Sequence, residues 1–127
     1  MNKQEFIEKI ESLSKKISAL TIDRVKDNSC SILVPILTKN GDIEKILSMV
    51  NEVNLMFKEY PEIIEELNEN EIRSVYVMMI AIKFAIEILI KYFKIESEDI
   101  TNFNTIFNGL RDLDTDKVNS LIKQGIK

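Results

Sequence analysis

Three aspartates at alternate positions, Asp112, Asp114 and Asp116, form the pattern in this sequence that comes nearest to a known kind of chemistry. Side-chain ligands at the start of a calcium-binding EF-hand loop have this spacing. Such a loop also needs glycine at its sixth position and a bidentate glutamate at its twelfth. Those positions hold two cations, Lys117 and Lys123. We therefore predict no metal site and interpret the aspartates as acidic residues at the positive end of a last helix.

Histidine, the commonest general base near neutral pH, is absent from the sequence. Its absence excludes Ser-His-Asp and Cys-His catalytic sites and HExxH zinc sites. The single cysteine, Cys30, lies beside an apolar run and is interpreted as a small buried residue rather than a reactive thiol. We predict no catalytic residue, no cofactor and no enzymatic activity. Catalysis by carboxylates and lysines alone is the remaining alternative, and no pair of groups points to it.

The composition favours one all-α domain over residues 1–127. Three glycines and two prolines leave little material for the tight turns that strands need, whereas the abundant Ile, Leu, Lys and Glu fit helices. We predict a compact bundle of five to six helices with a long hydrophobic central helix at about 70–95. A lone cysteine cannot form an internal disulfide, and the first residues lack the apolar core of a signal peptide. These features predict a cytoplasmic location.

Apolar residues recur at helical spacing along most of the chain. Pro61 is expected to end or bend one helix and to begin a short one, Asn68 or Asn70 to cap the central helix, and Ser97 to cap the next. A short last helix is predicted to start at Asp114 or Thr115 and to end at Gly125. The predicted inward-facing residues of the main helices are Phe6, Ile10, Leu13, Ile17, Leu20, Ile43, Ile46, Leu47, Val50, Val53, Phe57, Tyr60, Ile100, Phe103, Ile106, Phe107 and Leu110.

The segment 31–37, "SILVPIL", is the most ambiguous part of the chain. Its β-branched residues would suit a short strand, but Pro35 would remove a hydrogen-bond donor and no partner strand is evident. We interpret it as a short, kinked helix, with the strand as the alternative. A break is predicted at residues 27–29, and Asp42 is expected to cap the helix that follows.

Residues 75–93 are long enough to cross a membrane but include Lys83, Glu87 and Lys91 at intervals of four. Ten apolar residues at about −0.5 kcal/mol each are offset by roughly +2.5 to +3.5 kcal/mol for each central charge, so insertion is not favourable. We predict instead a helix buried on most sides, with Glu87 able to pair with Lys83 or Lys91. Its apolar surface exceeds what a small bundle covers, which predicts a homodimer. The predicted self-association residues are Val75, Met79, Ile82, Ile86 and Ile90.

The acidic run from Glu59 to Glu71 contains six carboxylates and no basic group. A solvated helix face is the simplest interpretation, and a docking surface for a basic protein partner is the functional one. The predicted partner-binding residues are Glu59, Glu62, Glu65, Glu66 and Glu69.

Three functions are consistent with these patterns. The first is a self-associating protein-interaction module, such as an accessory subunit, an inhibitor or an immunity-type factor. The second is a small helical subunit of a nucleoprotein complex, supported by a net charge of +2 in residues 1–40 and again in 72–97. The third is a membrane-associated helical protein. Without a strongly basic segment, nucleic-acid binding is not indicated for the chain as a whole, and the charges in residues 75–93 disfavour the membrane.

Overall fold

The computed structural model of the chain describes residues 1–26, 31–35 and 40–111. Its elements, in chain order, are α1 (Lys3–Thr21), β1 (Ile22–Lys26), β2 (Ser31–Pro35), α2 (Asn40–Glu59), α3 (Pro61–Glu66), α4 (Glu69–Phe93) and α5 (Glu98–Arg111). The predicted all-α bundle is confirmed, with five helices in the described part of the chain and a two-stranded ribbon between the first two. The longest helix, α4, has 25 residues and is the predicted central helix.

The four long helices form a closed ring around one core. Helix α1 packs against α2 and α4, α5 packs against the same two helices, and the short α3 lies against α1 and α2. Contacts between aromatic side chains show the relative direction of the helices. Phe6 near the start of α1 packs against Phe57 near the end of α2, so these helices are antiparallel. Tyr76 of α4 stacks on Phe107 of α5, and Lys83 contacts Asn104, so these helices are antiparallel too.

The core consists of apolar residues from all five helices, in the positions that helical spacing predicted. Leu20, Leu47, Tyr60 and Phe107 are partly buried against it rather than fully buried. The buried predicted residues are Phe6, Ile10, Leu13, Ile17, Ile43, Ile46, Val50, Val53, Phe57, Ile100, Phe103, Ile106 and Leu110.

Asn54 is a polar side chain of α2 that is buried in this core and contacts α5. The amide nitrogen of Asn54 donates to the backbone carbonyl of Asp99 at 2.9 Å, near the start of α5. Its amide oxygen is buried and accepts no hydrogen bond in the part of the chain that the structure describes. The donated bond links α2 to the start of α5 and leaves one buried acceptor unsatisfied.

Local side-chain chemistry defines the helix ends as predicted. Pro61 occupies the first position of α3, where its missing N–H is not needed. Asn68 caps α4 in a reciprocal capping box with Glu71: each side chain accepts from the backbone N–H of the other, at 2.9 and 3.0 Å. Ser97 accepts a hydrogen bond from the backbone N–H of Ile100 and so caps α5. Lys94 caps the carboxyl end of α4, and its φ of 55° lies in the left-handed region.

Two local predictions were wrong. Residues 31–35 form strand β2 rather than a helix, and their antiparallel partner is Ile22–Lys26. Pro35 is tolerated because it is the last residue of β2 and both strands of a two-stranded ribbon are edge strands. Helix α2 begins at Asn40, so Asp42 lies in its first turn and is not its cap.

Several predicted features lie outside the described residues. These are the break at 27–29, Cys30, residues 36–37, the aspartates Asp112, Asp114 and Asp116, and the last helix up to Gly125.

Candidate functional site

A cleft of about 560 Å³ lies where the start of α1 meets α3 and the start of α4. We call it the acidic cleft. Three of its lining side chains are carboxylates and one is a lysine. The residues that line it are Met1, Asn2, Lys3, Gln4, Glu62, Ile63, Glu66 and Glu71.

The amphipathic pattern of α3 directs two of these carboxylates toward the cleft. Ile63 and Ile64 are buried in the core, so the short helix is fixed with its other side outward. Glu62 and Glu66 are one helical turn apart on that outer side, and both are exposed. No cation in the described part of the chain pairs with either of them. Both carboxylates therefore present to the cleft a negative charge that no ion pair among the described residues offsets.

The structure places all five predicted partner-binding glutamates on the surface, but not at one site. Glu62 and Glu66 line the acidic cleft together. Glu59 and Glu65 are exposed outside its lining. Glu69 lies in the first turn of α4 and pairs with Arg73 at 2.7 Å, so its charge is partly compensated.

Lys3 and Glu71 form an ion pair within the lining of the cleft. The Lys3 ammonium donates to the Glu71 carboxylate at 3.1 Å and so ties the start of α1 to the start of α4. The backbone N–H of Asn68 and then Lys3 lower the pKa of Glu71 below its ordinary value of 4.5, because both interactions favour the charged form. The sequence pattern did not reveal this pair, because its members are 68 residues apart and share no local motif.

Acid stability should depend on Glu71. Because its pKa is lowered in the folded state, its contribution is complete above the ordinary value of 4.5 and is lost as the pH falls through the folded value. We expect Glu71→Gln, which preserves the capping-box geometry, to weaken the loss of stability with falling pH. Urea unfolding between neutral pH and pH ~3 measures this.

Asp99→Asn is the matched comparison for that experiment, because its expected effect has the opposite sign. Burial, and then the neighbouring Glu98, raise the pKa of Asp99. The folded state therefore holds this proton more tightly than the unfolded state, so this carboxyl favours folding at low pH relative to neutral pH. Removing it should steepen the loss of stability toward acid, opposite in sign to Glu71→Gln. Identical pH profiles for wild-type protein and Glu71→Gln would contradict the role given to Glu71.

Four of the five predicted self-association residues face the chain's own core. Val75, Met79, Ile82 and Ile86 are fully buried by the bundle, and Ile90 is partly buried against it. The four buried residues are therefore not available to a second copy while this fold stands. The apolar residues that α4 leaves exposed are Val77, Ile80, Phe84 and Tyr92.

The charged stripe of α4 lies at the surface as expected. Lys83 pairs with Glu87 at 2.9 Å, as predicted, and also donates to Asn104 of α5 at 2.6 Å. The side chains of Glu87 and Lys91 are exposed. No described helix combines the length and the hydropathy that crossing a membrane requires.

The lysines of α1 do not form a basic patch. Three of them each contact a carboxylate: Lys3 contacts Glu71, Lys9 contacts Glu52 at 3.6 Å, and Lys15 contacts Glu11 at 2.8 Å. Alternation of charge along this helix therefore gives a mixed surface rather than a positive one.

No group of three or more potential metal ligands comes together within residues 1–26, 31–35 and 40–111. The chain matches no known family model, no curated protein and no solved structure.

Proposed function

We propose that the chain is a non-catalytic protein-interaction module that binds a basic segment of a partner protein at the acidic cleft. One observation carries the proposal: Glu62 and Glu66 border the same cleft, and neither forms an ion pair with a cation in the described part of the chain. An accessory subunit, an inhibitor or an immunity-type factor would act in this way.

The size and charge of the cleft suit a lysine or arginine side chain. Its volume of about 560 Å³ is within the usual range of binding pockets. Its one lysine, Lys3, is already engaged with Glu71. The four charged side chains of the cleft sum to a formal charge of −2, and the terminal ammonium of Met1 brings the lining to −1. A guanidinium or ammonium group entering the cleft would pair with Glu62 and Glu66, and two hydrogen-bonded carboxylates favour arginine.

A matched pair of double variants tests the proposal. In Glu62→Gln/Glu66→Gln the cleft loses both uncompensated charges. In Glu44→Gln/Glu96→Gln the same change in net charge falls on exposed glutamates elsewhere. Fluorescence anisotropy would measure binding of three labelled peptides that alternate serine with arginine, glutamate or alanine.

The arginine peptide should bind wild-type protein and the control variant, and its binding should weaken as salt increases. Binding to Glu62→Gln/Glu66→Gln should be weaker by about tenfold, since each exposed ion pair contributes up to roughly 1 kcal/mol. Equal affinity of the arginine peptide for both double variants, or no binding to wild-type protein, would overturn the proposal.

A further inference from the structure

Helix α4 exposes three apolar side chains on the side that neither α1 nor α5 covers. Val77, Ile80 and Phe84 follow the three-then-four spacing of one helical face and are 64%, 45% and 48% exposed. Leaving such residues in water forgoes the free energy of burying apolar surface. This spacing is also the one by which two helices pack along a seam.

Charged side chains extend this face at both ends in a regular order. Glu69 and Arg73 precede the apolar residues, Glu87 and Lys91 follow them, and all four are exposed. Glu69 and Glu87 are 18 residues apart, as are Arg73 and Lys91. This separation is five turns of an α-helix, so the members of each pair point in the same direction. We call the seven residues Glu69, Arg73, Val77, Ile80, Phe84, Glu87 and Lys91 the outer face of α4.

The order of charges makes the outer face its own complement when reversed. Arg73 and Glu87 each lie seven residues from Ile80, or about 10 Å along the helix. Glu69 and Lys91 each lie eleven residues from Ile80, or about 16 Å. Rotating a second copy by a half turn about Ile80 therefore places opposite charges against each other at four positions. Arg73 already pairs with Glu69, and Glu87 with Lys83, within each copy, so the contacts between copies would extend these ion pairs into a network. The same rotation places Val77 of one copy close to Phe84 of the other.

We propose that two copies of the chain pair through this face, with their α4 helices antiparallel and the two-fold axis at Ile80. A parallel pairing in the same register would set Arg73 against Arg73 and Glu87 against Glu87, which charge repulsion disfavours. A two-fold interface must be self-complementary, and the outer face of α4 meets that condition. The interface is small, so the dimer should form with a dissociation constant in the range of about 1 to 100 µM.

This pairing is independent of the acidic cleft. Neither Glu62 nor Glu66 belongs to the outer face, and the cleft residue Glu71 points to another side of α4 toward Lys3. A dimer with an inactive cleft, or a monomer with a functional one, would separate the two proposals.

Two charge reversals and their mixture test the pairing by sedimentation equilibrium. Arg73→Glu should face Glu87 with a like charge in its own dimer, and Glu87→Arg should face Arg73 in the same way. Each variant alone should dimerise at least about tenfold more weakly than wild-type protein. Mixed in equal amounts, the two variants restore opposite charges at both positions, so the mixture should dimerise as wild-type protein does.

The matched control is Lys15→Glu on α1, which also reverses an exposed charge and removes a pair with the fourth residue along the helix. It should not change the dissociation constant. Circular dichroism checks that each variant is folded. If Arg73→Glu or Glu87→Arg is not folded, Glu69→Lys and Lys91→Glu form a second complementary pair for the same test. A wild-type monomer at about 100 µM, or a mixture no more dimeric than its components, would overturn the proposal.

Discussion

Replacing Phe57 by alanine should lower the free energy of unfolding by about 3 to 5 kcal/mol. Phe57 is fully buried, and its ring meets Phe6 edge to face, with ring centroids 5.4 Å apart. The substitution removes this aromatic contact and leaves a cavity between α1 and α2, and a close-packed core relaxes only partly around a cavity. Urea unfolding followed by circular dichroism measures the change.

Phe84→Ala is the matched control, because it removes the same atoms from a side chain that is 48% exposed on α4. Measured at a concentration where the protein is monomeric, it should cost less than about 1 kcal/mol. Similar costs for the two substitutions would contradict the packing of α1 on α2 described here.

Ile82→Lys should prevent stable folding. Ile82 is fully buried in the core, and an unpaired ammonium there would lose its hydration without gaining a partner. The expected cost is at least about 4 kcal/mol, a large part of the total stability of a small domain. Thermal unfolding and the yield of soluble protein would show the loss.

Ile80→Lys changes the same residue type on the same helix, two positions away and 45% exposed. It should fold with nearly the wild-type melting temperature while abolishing the proposed dimer. Loss of folding in both variants would mean that α4 is covered on the side that the structure leaves open. Normal folding of Ile82→Lys would mean that the side of α4 that contains Ile82 is not buried in the core.

The periodicity of α4 predicted which residues share its apolar sides but not what covers them. Val75, Met79 and Ile82 were expected to meet a second copy, because the helix is apolar over most of its surface. The chain's own helices bury them instead. Periodicity is a property of one helix, whereas coverage depends on contacts between helices distant in sequence. The face that remains exposed is recognisable only when the neighbours of α4 are known.

The starts of α3, α4 and α5 were predictable because their chemistry is local, whereas the cap predicted for α2, Asp42, was wrong. Asn68 and Ser97 cap their helices by accepting from the backbone N–H three positions further along the chain, and Pro61 acts through its own backbone.

The acidic cleft was only half predictable. Its carboxylates Glu62 and Glu66 stand out in the sequence as part of an acidic run, but the cleft also needs the start of α1, almost 60 residues earlier.

The ribbon of β1 and β2 shows the opposite case, in which local reasoning gave the wrong answer. Pro35 argues against a strand only where its missing N–H would break a ladder of hydrogen bonds between strands. In a two-stranded ribbon each strand has an open edge, and Pro35 stands at the end of β2 opposite Ile22. The partner strand was missed because "IDRVK" follows α1 directly, without an intervening turn signal.

The proposed function can be tested most directly by amide NMR spectra of the isotope-labelled protein, titrated with the arginine–serine peptide at low salt. The largest shift changes should fall on residues that line the acidic cleft, among them Gln4, Glu62, Ile63 and Glu66. In Glu62→Gln/Glu66→Gln the same changes should need about tenfold more peptide, in line with the expected loss of affinity. Shift changes centred on another surface, or none at peptide concentrations that saturate the anisotropy signal, would contradict the assignment of the cleft as the partner-binding site.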